Sequence, residues 1–230
     1  MLKLSGESLL GRREHGISPE TCKAIAQEIK EIKELKIELA IVIGGGNIFR
    51  GVAGSKHGLD RTTGDYMGML GTVINALALQ DAIENHGRAT RVMSAIGMDQ
   101  VCEPYIRRRA VRHLEQGRVV IFAAGMGNPY FTTDTPAAQR AAEVEAEIVL
   151  KGTHGGVDGV FSDDPLVNPR AVKYEAISFD EVIAKNLRVM DMTAITFCKD
   201  NNLPIRVFDL MAPGNLARAL DGHAVGTLVK

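Results

Sequence analysis

The sequence has little excess of charge: 27 Lys and Arg stand against 28 Asp and Glu, a formal net charge of −1. Such balance gives no general attraction to nucleic acid or anionic membrane, so a bound anion must be held by local positive groups. Cysteine is scarce. Cys22, Cys102 and Cys198 are widely spaced and include no CxxC pair, which fits reduced thiols in a cytoplasmic protein rather than a disulfide framework. The histidines include no HxxxH pair, so no dedicated metal site is expected. No apolar run approaches the ~20 residues of a membrane span, and the first residues lack the long apolar core of a signal peptide. Repeats, linkers and low-complexity tracts are also missing.

What is present is an ordinary globular composition, 45% hydrophobic and 24% charged over 230 residues. That length can bury a full core as one large domain or two closely packed lobes. Short apolar runs at 37–43, 90–94, 118–124, 148–151 and 205–208 read as buried strands. Between them lie helical patterns. Cys22, Ile25, Ile29 and Ile32 recur at three- and four-residue steps, with Ser18 as cap and Pro19 at the first helical position. Met67, Leu70, Ile74 and Leu77 form a second apolar stripe, expected to face the core. Ile106, Ala110 and Leu114 form a third, ended by Gly117. Ser178 and Glu181 make a capping box. Strands alternating with helices predict an α/β protein with a mainly parallel sheet, whose ligands bind at the carboxyl ends of the strands. A soft boundary near residue 151 divides it into parts 1–150 and 151–230.

Four strand-end loops carry candidate chemistry. Lys3-Leu4-Ser5-Gly6-Glu7 offers a lysine and free backbone N–H groups to phosphate oxygens, although a plain strand end with a solvated lysine would look the same. Gly44-Gly45-Gly46-Asn47 lets backbone approach an anion closely, with Arg50 in reach; a plain tight turn is the other reading. It matches neither a P-loop nor a GxGxxG fingerprint. The third loop, Gly125 to Asp134, gathers amide, hydroxyls, two rings and a carboxylate, an inventory able to grip a base, a sugar and a phosphate. It also precedes Pro136 and a helix, for which Asp134 or Thr135 is a candidate cap. The fourth holds Lys151-Gly152-Thr153, then Phe161 and Asp163-Asp164-Pro165. Its lysine would be a second positive charge, and Phe161 could stack on a purine; a β-turn with a surface lysine is the bland alternative. Arg107, Arg108, Arg109 and Arg112 form a basic run that reads as a solvated helix face or subunit contact rather than a nucleic-acid patch.

Taken together, KLSGE, IVIGGGNIFRG, RTTGDYMGMLGTVINALALQDA, VMSAI, AAGMGNPYFTTDTPAAQRAAE, VLKGT, VDGVFSDDP, VMDMTA, LPIRVF and GTLV resemble the uridylate kinases of bacteria, within the amino acid kinase family. The likeness runs over essentially the whole chain. It implies a three-layer α/β/α sandwich that transfers phosphoryl from ATP to UMP, with Mg²⁺ accompanying ATP. Residues 1–150 would hold UMP and 151–230 ATP. By motif, Lys3, Leu4, Ser5, Gly6, Gly46, Arg50, Thr153, Phe161 and Asp164 would line ATP. Gly45, Asp65, Met126, Gly127, Asn128, Pro129, Tyr130, Phe131, Thr132 and Thr133 would line UMP, with Asp65 on a ribose hydroxyl. Lys3 and Lys151 would offset the repulsion of two anions, and Asp134 would hold those lysines.

The resemblance further implies a homo-oligomer, a hexamer, with GTP and UTP as effectors. Arg91 and Arg118 match basic positions of the effector site, while Gln80 and Glu84 stand where some relatives carry basic residues. Met126 stands where relatives usually have threonine, and the 153–157 stretch is about two residues longer than usual. Two rivals remain: a family member acting on a carboxylate or carbamate, and a nucleotide-sensing protein without catalysis.

Overall fold

A computed structural model describes residues 1–49 and 58–230; Arg50, expected near the ATP phosphates, lies outside them. The described strands are β1 (Leu2–Leu4), β2 (Ala40–Ile43), β3 (Thr90–Ser94), β4 (Glu103–Pro104), β5 (Val119–Ala123), β6 (Val149–Thr153), β7 (Ala176–Ile177), β8 (Ile205–Asp209) and β9 (Thr227–Val229). They form one sheet in the order β4-β3-β5-β2-β1-β6-β8-β9-β7. Every neighbouring pair is parallel except β8 with β9.

Because side chains alternate along a strand, each strand feeds two cores. On one face Leu2, Leu4, Ile41, Ile43 and Ile121 pack against α1 (Pro19–Glu31), α2 (Arg61–Asn85) and α7 (Asn215–Leu220). On the other, Ala40, Val42, Val120, Phe122 and Val207 meet α3 (Arg107–Glu115), α4 (Asp134–Glu143), α5 (Phe179–Ala184) and α6 (Met192–Asp200). The result is the expected three-layer α/β/α sandwich. Local signals act as expected at several helix ends. Ser18 Oγ accepts from Thr21 N at 3.2 Å ahead of Pro19. Ser178 and Glu181 complete their capping box. Gly117 leaves α3 with φ 71°.

One stripe points the other way. Met67, Leu70 and Ile74 are 40%, 49% and 49% exposed, while Leu77 is partly buried against the core, so most of the stripe expected inward looks outward. The buried face of α2 is built largely of small residues, among them Gly64, Gly71, Thr72 and Ala76. Close approach of the Gly44–Gly46 turn requires them. A Cβ on Gly45 would lie 2.9 Å from Thr72 N and 3.2 Å from Gly71 C, so only a bare backbone fits there.

β1 sits at the middle of the sheet, with β2 on one side and β6 on the other. The chain first fills the β2 side, then crosses over to β6. Such a switch point opens a crevice at the carboxyl ends of the central strands.

Candidate active site

Lys3 lies between two core leucines on β1, so alternation turns it to the α4 face. Its register partners are Val42 on β2 and Lys151 on β6. Two lysines therefore stand side by side, one strand spacing apart. Lys3 is only 5% exposed, and unopposed like charges there would be costly. Asp134, in the first turn of α4, resolves the conflict. Its Oδ1 lies 2.5 Å from Lys3 Nζ and 2.8 Å from Lys151 Nζ. Burial lowers the pKa of Lys3 to about 8; Lys151 pushes the same way and Asp134 opposes. Burial alone would raise the Asp134 carboxyl, but the two ammonium groups outweigh it and hold the pKa at about 2.

Asp134 is free to do this because it is not the helix cap. Thr133 occupies that position without a side-chain cap bond, and Asp134 N donates to Thr132 Oγ1 at 3.1 Å. Sequence reasoning missed the group behind it. Asp191 N donates to Asp134 Oδ2 at 3.2 Å. The Asp191 carboxylate caps α6 through Ala194 N at 2.7 Å and accepts from the hydroxyls of Thr135 and Thr132. It joins the lysine clamp to the loop ahead of α4. In the sequence Asp191 stood only within the motif VMDMTA, with no role attached.

The two glycine turns abut. Gly44 N donates to Leu4 O at 2.9 Å, and a Cβ on Gly6 would fall 2.7 Å from Gly44 O and 2.8 Å from Gly46 N. Behind them Asn47 and Asn75 exchange amide hydrogen bonds of 3.0 and 2.7 Å, and Asn75 Nδ2 reaches Gly44 O at 2.7 Å. Asn47 was read only as the end of the glycine turn and Asn75 only within a matching motif; a polar residue inside a helical pattern gives no sign that its partner is a distant turn. Ser5 caps the short 3-10 turn Gly6–Leu9, whereas the Leu4 side chain is wholly in the core.

On one side of the clamp lies a small cleft of about 130 Å³. Of the residues expected around UMP, Gly45, Asp65, Met126, Asn128, Phe131, Thr132 and Thr133 line it. Gly46, expected beside ATP, lines it too. Gly127, Pro129 and Tyr130 share the loop but do not line the cleft. This loop is bent by left-handed residues: Ala124 (φ 60°), Gly125 (57°), Gly127 (76°) and Tyr130 (72°). Non-glycine residues held there store strain, which the surroundings must over-determine. Ala124 N donates to Thr72 Oγ1 at 2.7 Å, and Tyr130 N to Asp65 Oδ2 at 2.8 Å. Asp65 also pairs with Arg61 Nε at 2.8 Å, tying α2 to the loop.

On the other side are two adjoining clefts. The inner one, about 510 Å³, is lined by Ser5, Asp134, Lys151 and Thr153; the outer one, about 600 Å³, by Phe161 and Asp164. Val157 and the segment 186–189 wall both, and that segment too went unread in the sequence. The Thr153 hydroxyl is turned to the Phe208 carbonyl at 2.9 Å. Asp164 Oδ1 accepts from Leu166 N at 2.9 Å. Arg91 and Arg118 lie elsewhere, at the amino ends of β3 and β5. Arg91 pairs with Glu84 at 3.4 Å, and Arg118 meets His113 Nδ1 at 2.8 Å.

Among the described residues no three His, Cys, Asp or Glu side chains gather as metal ligands, and Asp134 is already committed to two lysines. No described helix is long and apolar enough to cross a membrane.

The chain matches the amino acid kinase family model over residues 1–209. It is similar in structure to the UMP kinase of Bacillus anthracis, with 43% identity, TM-score 0.96, all of this chain and 94% of that one covered. It is also similar to the UMP kinase of Ureaplasma parvum, at 39% identity and TM-score 0.93, covering all of this chain and 97% of that one. For the uridylate kinase of Archaeoglobus fulgidus the values are 26% and 0.73, with 100% and 99% covered.

Proposed function

The chain belongs to the amino acid kinase family, and we infer from its site that it transfers the γ-phosphoryl group of ATP to UMP, giving ADP and UDP. The observation that carries this reading is the pair of register-matched lysines on one carboxylate, set between a small cleft and a larger one. The chemistry needs such an arrangement. A phosphate oxygen of UMP bonds to the γ-phosphorus as the bond from that phosphorus to the bridging oxygen breaks. The electron pair stays on that oxygen, which leaves as part of ADP. UMP is already anionic, so no strong base is needed; the difficulty is bringing two anions together. Lys3 and Lys151 offset that repulsion and stabilise the charge that spreads over the transferred group. Asp134 keeps both ammonium groups in place without cancelling both charges. Mg²⁺ bound to ATP supplies further charge neutralisation.

In this reading residues 1–150 hold UMP in the small cleft, against Asp65 and the 126–133 loop. Residues 151–230 hold ATP, with adenine beside Phe161 and Asp164 and phosphates toward Ser5, Gly6 and Lys151. The outward stripe of Met67, Leu70 and Ile74 on α2 supports a homo-oligomer, a hexamer by family likeness, because exposed apolar patches of this kind mark contact surfaces. Arg91 and Arg118 are the residues offered to GTP or UTP as effectors. The cytoplasm is the compartment that suits three free cysteines, Cys22, Cys102 and Cys198, since reducing compartments keep thiols unbridged.

The test is ADP release from ATP against a panel of UMP, CMP, dUMP, GMP, glutamate and carbamate. The reading expects turnover with UMP far above the rest. Preference for glutamate or carbamate, or no acceptor-dependent ADP at all, would overturn it.

A further inference from the structure

The two donor-side clefts meet at the segment 186–189. Leu187 N donates to Val182 O at 3.0 Å, and Val189 N to Leu187 O at 3.0 Å. The second bond closes a three-residue turn with Arg188 at its apex. Val189 and Met190 beyond the turn are buried, while Arg188 itself is exposed. The backbone is thus anchored on both sides of Arg188, at the place where the two clefts meet. Arg188 lines both of them. It makes no ion pair or side-chain hydrogen bond among the described residues. Lys185, which also lines the outer cleft, is bound to Glu181 at 3.1 Å. Lys151 and Lys3 are bound to Asp134. Arg188 is therefore a cation on this wall with its full donor set unspent.

A nucleotide with its base beside Phe161 and its last phosphate at Lys151 must run past this point. We propose that Arg188 binds the phosphate chain of the donor nucleotide, between the base and the transferred phosphoryl group; the proposal rests on the donor assignment made above. A guanidinium presents a planar fork that matches two phosphate oxygens at once. The diphosphate it would hold is the leaving group. Negative charge builds on that group as the bond to the γ-phosphorus breaks, so the same contact that binds ATP also stabilises the departing ADP.

The experiment compares ADP and adenosine binding by isothermal titration calorimetry, without UMP, for the unaltered chain, Arg188→Met and Arg188→Lys. The proposal expects Arg188→Met to weaken ADP by about tenfold or more, the scale of a lost charge-assisted bond. Adenosine, which has no phosphate, should bind that variant within about twofold of the unaltered chain. Arg188→Lys should recover part of the loss. Unchanged ADP affinity in Arg188→Met would make Arg188 a solvated surface cation and overturn the proposal. Equal weakening of ADP and adenosine would overturn it as well, since the side chain would then be shaping the base cleft. An unaltered chain that binds neither ligand would overturn the donor assignment itself, and the proposal with it.

Discussion

Lys3 and Lys151 are direct partners across the parallel β1–β6 ladder, and both reach the same oxygen of Asp134, at 2.5 and 2.8 Å. Neither position alone dictates this. A lysine among core leucines and a lysine at the end of IVLK become one site only when the two strands pair in this register. A slip of one residue would turn Lys151 to the opposite face.

The lowered pKa of Lys3 has opposite consequences for activity and stability. Burial brings it to about 8, so the charge that phosphate needs disappears as pH rises through that value. We expect kcat/KM to fall above about pH 8, since this parameter reports groups of the free enzyme. Stability moves the other way. The folded pKa lies below the ordinary 10.5, so the unfolded chain binds more protons between the two values and Lys3 favours the fold increasingly from about pH 8 to 10.5. Asp134 acts at the acid end, its contribution full above 3.8 and lost as pH falls toward about 2. Rate and melting profiles measured together check this; a rate loss that simply tracks unfolding would contradict it.

Asp134→Asn removes the one negative charge between two lysines. Breaking a buried ion pair from one side costs about 3 kcal/mol or more. The loss should be smaller at pH 9 than at pH 7, because Lys3 can then shed its proton. Denaturant unfolding at both values measures it, and equal losses would place the origin elsewhere.

Asp65 lines the small cleft while accepting from Tyr130 N and pairing with Arg61. Asp65→Asn should therefore raise the KM for UMP by about tenfold, the scale of a charge-assisted hydrogen bond, with little change in the KM for ATP. Equal changes in both constants would argue against a UMP-side position.

Met126 lines the same cleft. Uracil and cytosine differ along one hydrogen-bonding edge, and a thioether accepts only weakly. A hydroxyl at this position can supply a bond that discriminates, so Met126→Thr is expected to raise the UMP/CMP ratio of kcat/KM by roughly tenfold. An unchanged ratio in a folded variant would show that this side chain does not read the base.

The sheet and its loops were legible because buried parallel strands read as apolar runs and their ends as glycine-rich turns. The Gly125–Asp134 loop stood out for the same reason, and parts of it line the small cleft. The α2 stripe misled because that helix is apolar on more than one side. Periodicity selected the large residues Met67, Leu70 and Ile74, whereas the core side needed small ones to admit the Gly44–Gly46 turn. The partners of Asp191, Asn47 and Asn75 and the place of Arg188 were not legible. Each acts on groups far away in sequence, and local spacing carries no information about such partners. Asp134 was picked out through family likeness, but its freedom from capping α4 became visible only in three dimensions.

The most direct test of the lysine clamp is transfer of label from γ-³²P ATP, followed for the unaltered chain, Lys3→Met and Lys151→Met, with thermal melting as a check that each variant folds. Two cations facing one polyanionic transition state predict that the unaltered chain places the label in UDP. Each variant should lower kcat by about 10²-fold or more, the scale of losing one such stabilising group. Label released only as inorganic phosphate, or UDP formed at near-normal rates by both variants, would contradict it.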